Sequence, residues 1–346
     1  MTEETQPPAR SRVTLSGISS RAWEHPADRG ALIALRKLKG FDTVLKALSG
    51  LFNERRYRLI FLGSAVRVDE RQFPRLNRLL TEAGQVLDVD ELPEMYVGNS
   101  PFANAMTLGM DKPFIVLNSR LLTLLDDDEL RWLIAHELGH AISGHAVYQT
   151  LFVRILHATG FLASLPPASI TLRVLSAALA EWSRKAELSA DRAGLLATQD
   201  TAAAFRVHMK LASGVNDLTQ LDQTSFFAQG QEYLDAGDMR DVLLKIQLVE
   251  GQTHPYAVVR AIELRNWVDS GAYTAILGGD YPRRDEDDAA GVTEAAKEAA
   301  AGYQEQFSNT SDAAGKLVHD VAGLLGSAKS WLDERFRRRD DGSDDA

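Results

Sequence analysis

The sequence predicts an α+β chain that is mainly helical, and three observations carry that expectation. Apolar residues recur at helical spacing through most of the 346 positions, the mark of amphipathic helices. Three short runs of β-type composition lie close together between residues 94 and 117, separated by turn chemistry, so the strands are few and local. Hydrophobic residues make up 45% and charged residues 25%, enough apolar material for a true core.

Residues 1–20 are polar, include Pro7 and Pro8 and lack an apolar stretch, so they read as a disordered lead that does not match a secretory signal. A helical extension follows over 21–54: Leu32, Leu35, Leu38, Val44, Leu45, Leu48 and Leu51 keep roughly helical spacing, and Gly40 divides them into two helices. Residues 57–68 read as a strand and 73–87 as a helix. Strands are expected at 94–97, 103–108 and 114–117, punctuated by Gly98-Asn99-Ser100-Pro101 and by Gly109 to Pro113. The next helix begins at 126–128, where three aspartates offer an N-cap, and Leu130, Leu133, Ile134, Leu138 and Ile142 form its apolar stripe.

Residues 155–172 run for 18 positions without a charged side chain, which touches the length of a membrane span. Pro166-Pro167 and several polar residues interrupt the run, so 146–180 has two readings: a helical hairpin packed on the domain, or a surface that touches a membrane. Helices continue from Ala180 to Trp267, giving one domain over 55–280. Residues 281–346 read as a charged linker and a tail with two amphipathic stripes, one through Val292, Ala299 and Phe307, the other through Leu317, Leu324 and Trp331.

Net charge is −10, but residues 283–346 hold 15 acidic and 9 basic side chains, so most of the acidity belongs to the tail. That balance argues against nucleic acid as a partner, because phosphate binding needs clustered Lys and Arg. With no cysteine and eight histidines, thiolate metal sites, disulfides and a cysteine nucleophile are excluded; a metal site must use His, Asp and Glu.

Such a site is written at 136–140, His-Glu-Leu-Gly-His. Four residues turn an α-helix by about 400° and advance it about 6 Å, so His136 and His140 project from one face and converge on one ion. Glu137 stands beside the pair, where it can take a proton from a zinc-bound water and later return it to a leaving amine. A chain of this composition would contain the pattern about 0.01 times by chance.

A catalytic zinc takes a third protein ligand and keeps one position open. Glu187 and Asp191, four apart and surrounded by Ala186, Ala190, Ala193 and Gly194, share a helix face shaped for close packing. Glu187 is the candidate third ligand. Asp191 is placed to accept the free ring N–H of a zinc histidine, and Arg184 to orient a carboxylate or substrate. The competing reading of the two acids is a solvated helix face. His145, nine residues beyond His136, falls on the opposite face of a straight helix and reads as structural; His25, His157, His208 and His319 default to structure or surface. His254, in a loop before a predicted helix, is a candidate to approach the metal or donate to an oxyanion.

Four segments together resemble the HtpX-like and CAAX-prenyl-protease-like zinc metallopeptidases: Asn104-Ala105-Met106; the 136–140 motif with its trailing His145; Arg184 to Asp191 as R-x-x-E-x-x-A-D; and Thr253-His254-Pro255 with Arg260. The resemblance covers residues 55–268 and implies a gluzincin fold, mainly helical, with a small mixed sheet above the zinc helix. It implies one Zn²⁺ held by His136, His140 and Glu187, with Glu137 as base, His254 near the zinc in a transition-state or gating role, and Arg260 supporting the His254 loop. The strand of Asn104, Ala105 and Met106 would border the cleft and add an extended polypeptide substrate to its edge.

One departure matters. Many membrane members carry spans before the zinc helix and between it and the third ligand; here the first 90 residues have none and 146–180 is broken. The expectation is therefore a cytoplasmic endopeptidase acting on unfolded or misfolded chains in protein quality control, with peripheral membrane contact through 146–180 as a variant. The tail would cover the enzyme's own cleft or bind a partner protein. The alternative is a zinc-retaining, chaperone-like or membrane-peripheral binding protein with little turnover, against which the intact Glu137 argues.

Overall fold

The structure, a computed structural model, describes residues 11–37, 54–162, 166–235, 256–289 and 297, with 154–177 confined to the backbone. Its sheet is small and mixed. Four strands, β1 (Ala65–Arg67), β2 (Glu94–Gly98), β3 (Ala105–Leu108) and β4 (Phe114–Asn118), lie in the order β1-β2-β4-β3. β2 and β4 are parallel; β1–β2 and β3–β4 are antiparallel. Phe114, Ile115, Val116 and Leu117 of β4 are all buried, as an unbroken apolar run requires when both faces of a strand are covered.

One face receives helix α2 (Glu54–Ser64), whose Tyr57 and Phe61 pack on Tyr96, Phe114 and Val116. This corrects the strand expected at 57–68, of which only Ala65–Arg67 pairs. Aromatic and β-branched residues bias that segment toward strand, but tertiary contact outweighs the bias: Phe61 meets Phe114 edge-on at 5.4 Å.

The other face meets the main core. Here α3 (Pro74–Val86) and α5 (Asp127–Ile142) pack beneath the sheet, after the short α4 (Arg120–Leu124). Asp126 caps α5 and forms a capping box with Glu129. The buried Glu129 is also held by Arg206 at 2.9 Å and Lys210 at 2.6 Å.

Helices α6 (His145–Leu162) and α7 (Pro166–Thr198) pack side by side as a helical hairpin, with α1 (Pro26–Lys37) laid along α7. Leu35 of α1, Phe152 of α6 and Trp182 of α7 share this second core. Helices α8 (Thr201–Ser213), α9 (Gln223–Asp235), α10 (Ala257–Asp269) and α11 (Ala272–Leu277) complete the layer. Among the described residues no helix is long and apolar enough to cross a membrane.

The approach of α5 to α7 decides where the site forms. A Cβ on Gly139 would stand 2.6 Å from Ala193 Cβ, and one on Gly194 would stand 2.9 Å from the Trp132 carbonyl oxygen. Both positions need glycine because the helices are in backbone contact, and that contact brings Glu187 within reach of the 136–140 motif.

Residues 11–20 are not the disordered lead that their polarity suggests. Leu15 and Ile18 are buried in the main core, and Ile18 bridges Arg283. Residues 283–288, expected as a linker, are clamped there too: Ser19 Oγ donates to Asp287 at 2.6 Å, and Arg284 pairs with Asp88 and Asp90. The helix expected after Gly40, the two tail stripes and His254 lie outside the described residues.

Candidate metal centre

His136, Glu137 and His140 stand on the second half of α5, all nearly fully buried, and Glu187 faces them from α7. His136 Nε2 is 3.5 Å from Glu187 Oε2, and His140 Nε2 is 3.3 Å from Glu187 Oε1. Four ligands held tetrahedrally at about 2.0–2.1 Å from one ion stand about 3.3 Å apart. The spacing of the three side chains therefore fits a single ion, and among the described residues they form the one cluster able to hold a metal.

The electrostatics point the same way. Burial pushes His140 down to about 4, so its imidazole is neutral, the form that ligates. Burial would also lower His136, but Asp191 and Glu187 outweigh it and lift the imidazole to about 9. Carboxylates that hold a proton so firmly would hold a cation in its place.

Behind His136 stands Asp191, one α-helical turn beyond Glu187, with Oδ1 2.9 Å from His136 Nδ1. Burial alone would raise the Asp191 carboxyl; Arg260 outweighs it and holds the group well below the usual range. Arg260, from α10, donates Nε to Asp191 Oδ2 at 2.8 Å and a second bond to Oδ1, and its Nη1 lies 3.0 Å from Glu187 Oε2. It thus straps two site carboxylates. The resemblance assigned Arg260 to the His254 loop; what the structure shows is this strap. Arg184 bonds Glu181, one turn back on α7.

Glu137 reaches β3 from the same helix. Thr107 Oγ1 donates to Glu137 Oε2 at 2.6 Å. Burial pushes Glu137 up to about 7, with Glu187 adding to the rise and His136 and Thr107 opposing it. A carboxyl near neutrality can both take and return a proton. The centre lies on the floor of a cleft of about 870 Å³ lined by Asn104 and Ala105 on one side and by Leu133, Tyr233, Tyr256 and Val258 on the other. Tyr233 and Tyr256 meet edge-on at 5.5 Å. Met106, half-buried, lines a smaller cavity of about 120 Å³ that reaches Glu137 and His140.

Four participants were not among the sequence candidates. Thr107 follows the Asn104-Ala105-Met106 strand and carries no signal of its own. His208 is fully buried against Trp132, 3.8 Å from Asp191 Oδ2, and burial pushes it down to about 3. His145 does not sit opposite His136, because α5 does not run straight to it. The helix stops at Ile142, Gly144 turns the chain at φ 72°, and His145 opens α6 with Nδ1 3.0 Å from His140 Nδ1. Asp28, on α1, contacts that His145 in turn, with Oδ2 3.1 Å from Nε2.

Comparison with known proteins extends the match beyond the site. The model of peptidase family M48 matches residues 70–268. A plastoglobule-localized metallopeptidase of Arabidopsis thaliana is 36% identical over 263 residues, covering 74% of each chain. An HtpX protease homologue of Helicobacter pylori is 36% identical over 102 residues, 29% of this chain and 32% of its own. One from Nostoc is 28% identical over 160 residues, 45% of this chain and 53% of its own. The HtpX homologues are thus matched over about a third to a half of their length. No solved structure matches the chain.

Proposed function

The chain belongs to peptidase family M48 and is a metalloprotease; from that premise we propose that it is a zinc-dependent endopeptidase that hydrolyses unfolded or extended polypeptides. The observation that carries this reading is Glu137: a carboxyl lifted to about 7, anchored by Thr107, at the floor of an open cleft beside two imidazoles and a third carboxylate.

His136, His140 and Glu187 would hold the ion. Zinc bound there supplies Lewis acidity, polarising a carbonyl and lowering the pKa of water toward 7. Glu137 takes a proton from the attacking water on a carboxylate oxygen and delivers it to the leaving amine nitrogen. Thr107 keeps that carboxylate turned to the cleft. Asp191 accepts the Nδ1 proton of His136, leaving Nε2 free to ligate, and Arg260 fixes both acids.

Asn104, Ala105 and Met106 bind the substrate backbone. β3 is the outermost strand of the sheet, and an extended peptide adds to it through main-chain hydrogen bonds. A folded substrate has no free strand to offer, so unfolded chains are preferred. His254 remains a candidate for oxyanion or gating work, and Arg184 for support of the α7 acids. The catalytic domain is taken as 55–280, with 281–346 as its appendage.

The test is metal dependence with substrate choice. Chelated protein should leave casein intact, zinc should restore cleavage, and a stable folded protein should survive. Cleavage that persists after exhaustive chelation, or equal cutting of folded and unfolded chains, rejects the reading. A second reading concerns location: one relative is named for plastoglobules, and 146–180 is apolar, so contact with a lipid surface competes with a cytoplasmic site. Recovery wholly in the supernatant after liposome co-sedimentation would remove the lipid reading.

A further inference from the structure

His140 uses both ring nitrogens. Nε2 faces Glu187 at 3.3 Å, and Nδ1 faces His145 Nδ1 at 3.0 Å. Two Nδ1 atoms at that distance must share one proton, so one donates and the other accepts. Which does which follows from the far side of His145. Its Nε2 lies 3.1 Å from Asp28 Oδ2. Ser189 Oγ and Trp182 Nε1 both donate to Asp28 as well, so its carboxylate oxygens serve as acceptors. A carboxylate only accepts, which puts a proton on His145 Nε2, and the singly protonated ring then presents Nδ1 as a lone pair. His140 must then carry its proton on Nδ1, and its Nε2 lone pair is free on the side of Glu187.

Asp28 is built into this place. It is 1% exposed and accepts from Ser189 Oγ at 2.6 Å and Trp182 Nε1 at 3.0 Å, both on α7. It belongs to α1, upstream of the residues that match the family model. Gln149 also approaches His140 Nδ1, at 3.2 Å through Nε2; with its amide turned, Oε1 would accept the same proton.

We propose that Asp28 is a positioning residue for the metal centre, acting through His145 to hold His140 in the tautomer and orientation that ligate. The inference rests on reading His136, His140 and Glu187 as the metal site.

The test uses the full chain and zinc, with affinity measured by competition against a chromophoric chelator. Asp28→Asn, which keeps the shape and removes the charge, should weaken zinc binding about 10-fold, and His145→Phe by about 10–100-fold. The double variant should bind no more weakly than His145→Phe alone, because Asp28 acts only through that ring. Leu35→Ala, a cavity in the same α1 core, should lower the unfolding midpoint and leave zinc affinity within twofold. In ¹⁵N-histidine NMR of the zinc-loaded wild type, His145 should show the Nε2–H pattern, a readout that needs no variant to fold.

Zinc affinity of Asp28→Asn within twofold of wild type would overturn the proposal. So would multiplying penalties in the double variant, an Nδ1–H pattern at His145, or a Gln149→Ala variant in which Asp28→Asn no longer matters. His140→Gln separates the two levels: retained zinc there would overturn the metal site itself, and the relay with it.

Discussion

The two imidazoles of the centre are held in opposite ways. His136 rests directly on a carboxylate, Asp191, which Arg260 straps to Glu187. His140 rests on a second imidazole, His145, and reaches its carboxylate, Asp28, one step later. The first arrangement is a charged network inside the region matched to the family, contributed by α7 and α10. The second depends on α1, which precedes that region. Direct charge contact ties metal binding to the stability of the fold. A relay through a second ring sets ligand geometry with less consequence for folding, so the two sides should respond differently to damage.

The largest effect should come from the charged side. Asp191→Ala leaves Arg260 buried with one partner fewer, and breaking a buried pair costs about 3–5 kcal/mol. Urea unfolding should show that loss, and chelator competition should show zinc binding weakened about 100-fold. Asp28→Asn, by contrast, should change affinity with little movement of the urea midpoint. Equal losses of stability in the two variants would erase the distinction.

The next effect concerns the helix contact that unites the two sides. Gly139→Ala places a methyl 2.6 Å from Ala193 Cβ, so α5 and α7 must separate. Overpacking of this kind costs about 1–3 kcal/mol. The shift moves Glu187 away from both imidazoles, and zinc affinity should fall along with thermal stability. An unchanged midpoint would mean that the helices are not in backbone contact here.

Acid separates the sides further. The Asp191 carboxyl is held below its unfolded value, so its stabilisation is complete above about pH 4 and is lost as pH falls below that. Glu137 has the opposite sign: its pKa is raised to about 7, so it favours the folded state at low pH and costs stability as pH rises toward 7. Activity needs the ionised form of Glu137 and should fall on the acid side as that carboxylate takes a proton, before the fold weakens. Coincident loss of activity and structure near pH 4 would contradict this assignment.

Thr107→Val should give the smallest effect. Losing one hydrogen bond to the ionised Glu137 removes about 1 kcal/mol, which should move the acid limb of the pH–activity profile upward by less than about one unit. A downward move would show that Thr107 favours the protonated acid.

How much of this was legible in the sequence depends on the distance a pattern spans. His136 and His140 share one helix face, and so do Glu187 and Asp191; local periodicity is enough to expose each pair. The small residues flanking Glu187 also announced close packing against another helix, which the structure shows to be α5. The strand bias of 57–68 misled because Tyr57 and Phe61 answer to Phe114, more than 50 positions away. His145 was misplaced because its position depends on where α5 stops, and Gly144 reverses the chain just before it. Asp28 and Thr107 have no local signature: each acquires its role only when α1 docks on α7 or β3 on α5.

The most direct measurement is proteolysis by Glu137→Gln beside wild type, both with their zinc content determined. The substitution is isosteric and leaves all three candidate ligands in place. Both proteins should bind one zinc per chain, and cleavage of unfolded casein should fall by about 10²–10⁴-fold in the variant. Equal cleavage by the two zinc-loaded proteins would contradict the role assigned to Glu137 and the mechanism built on it.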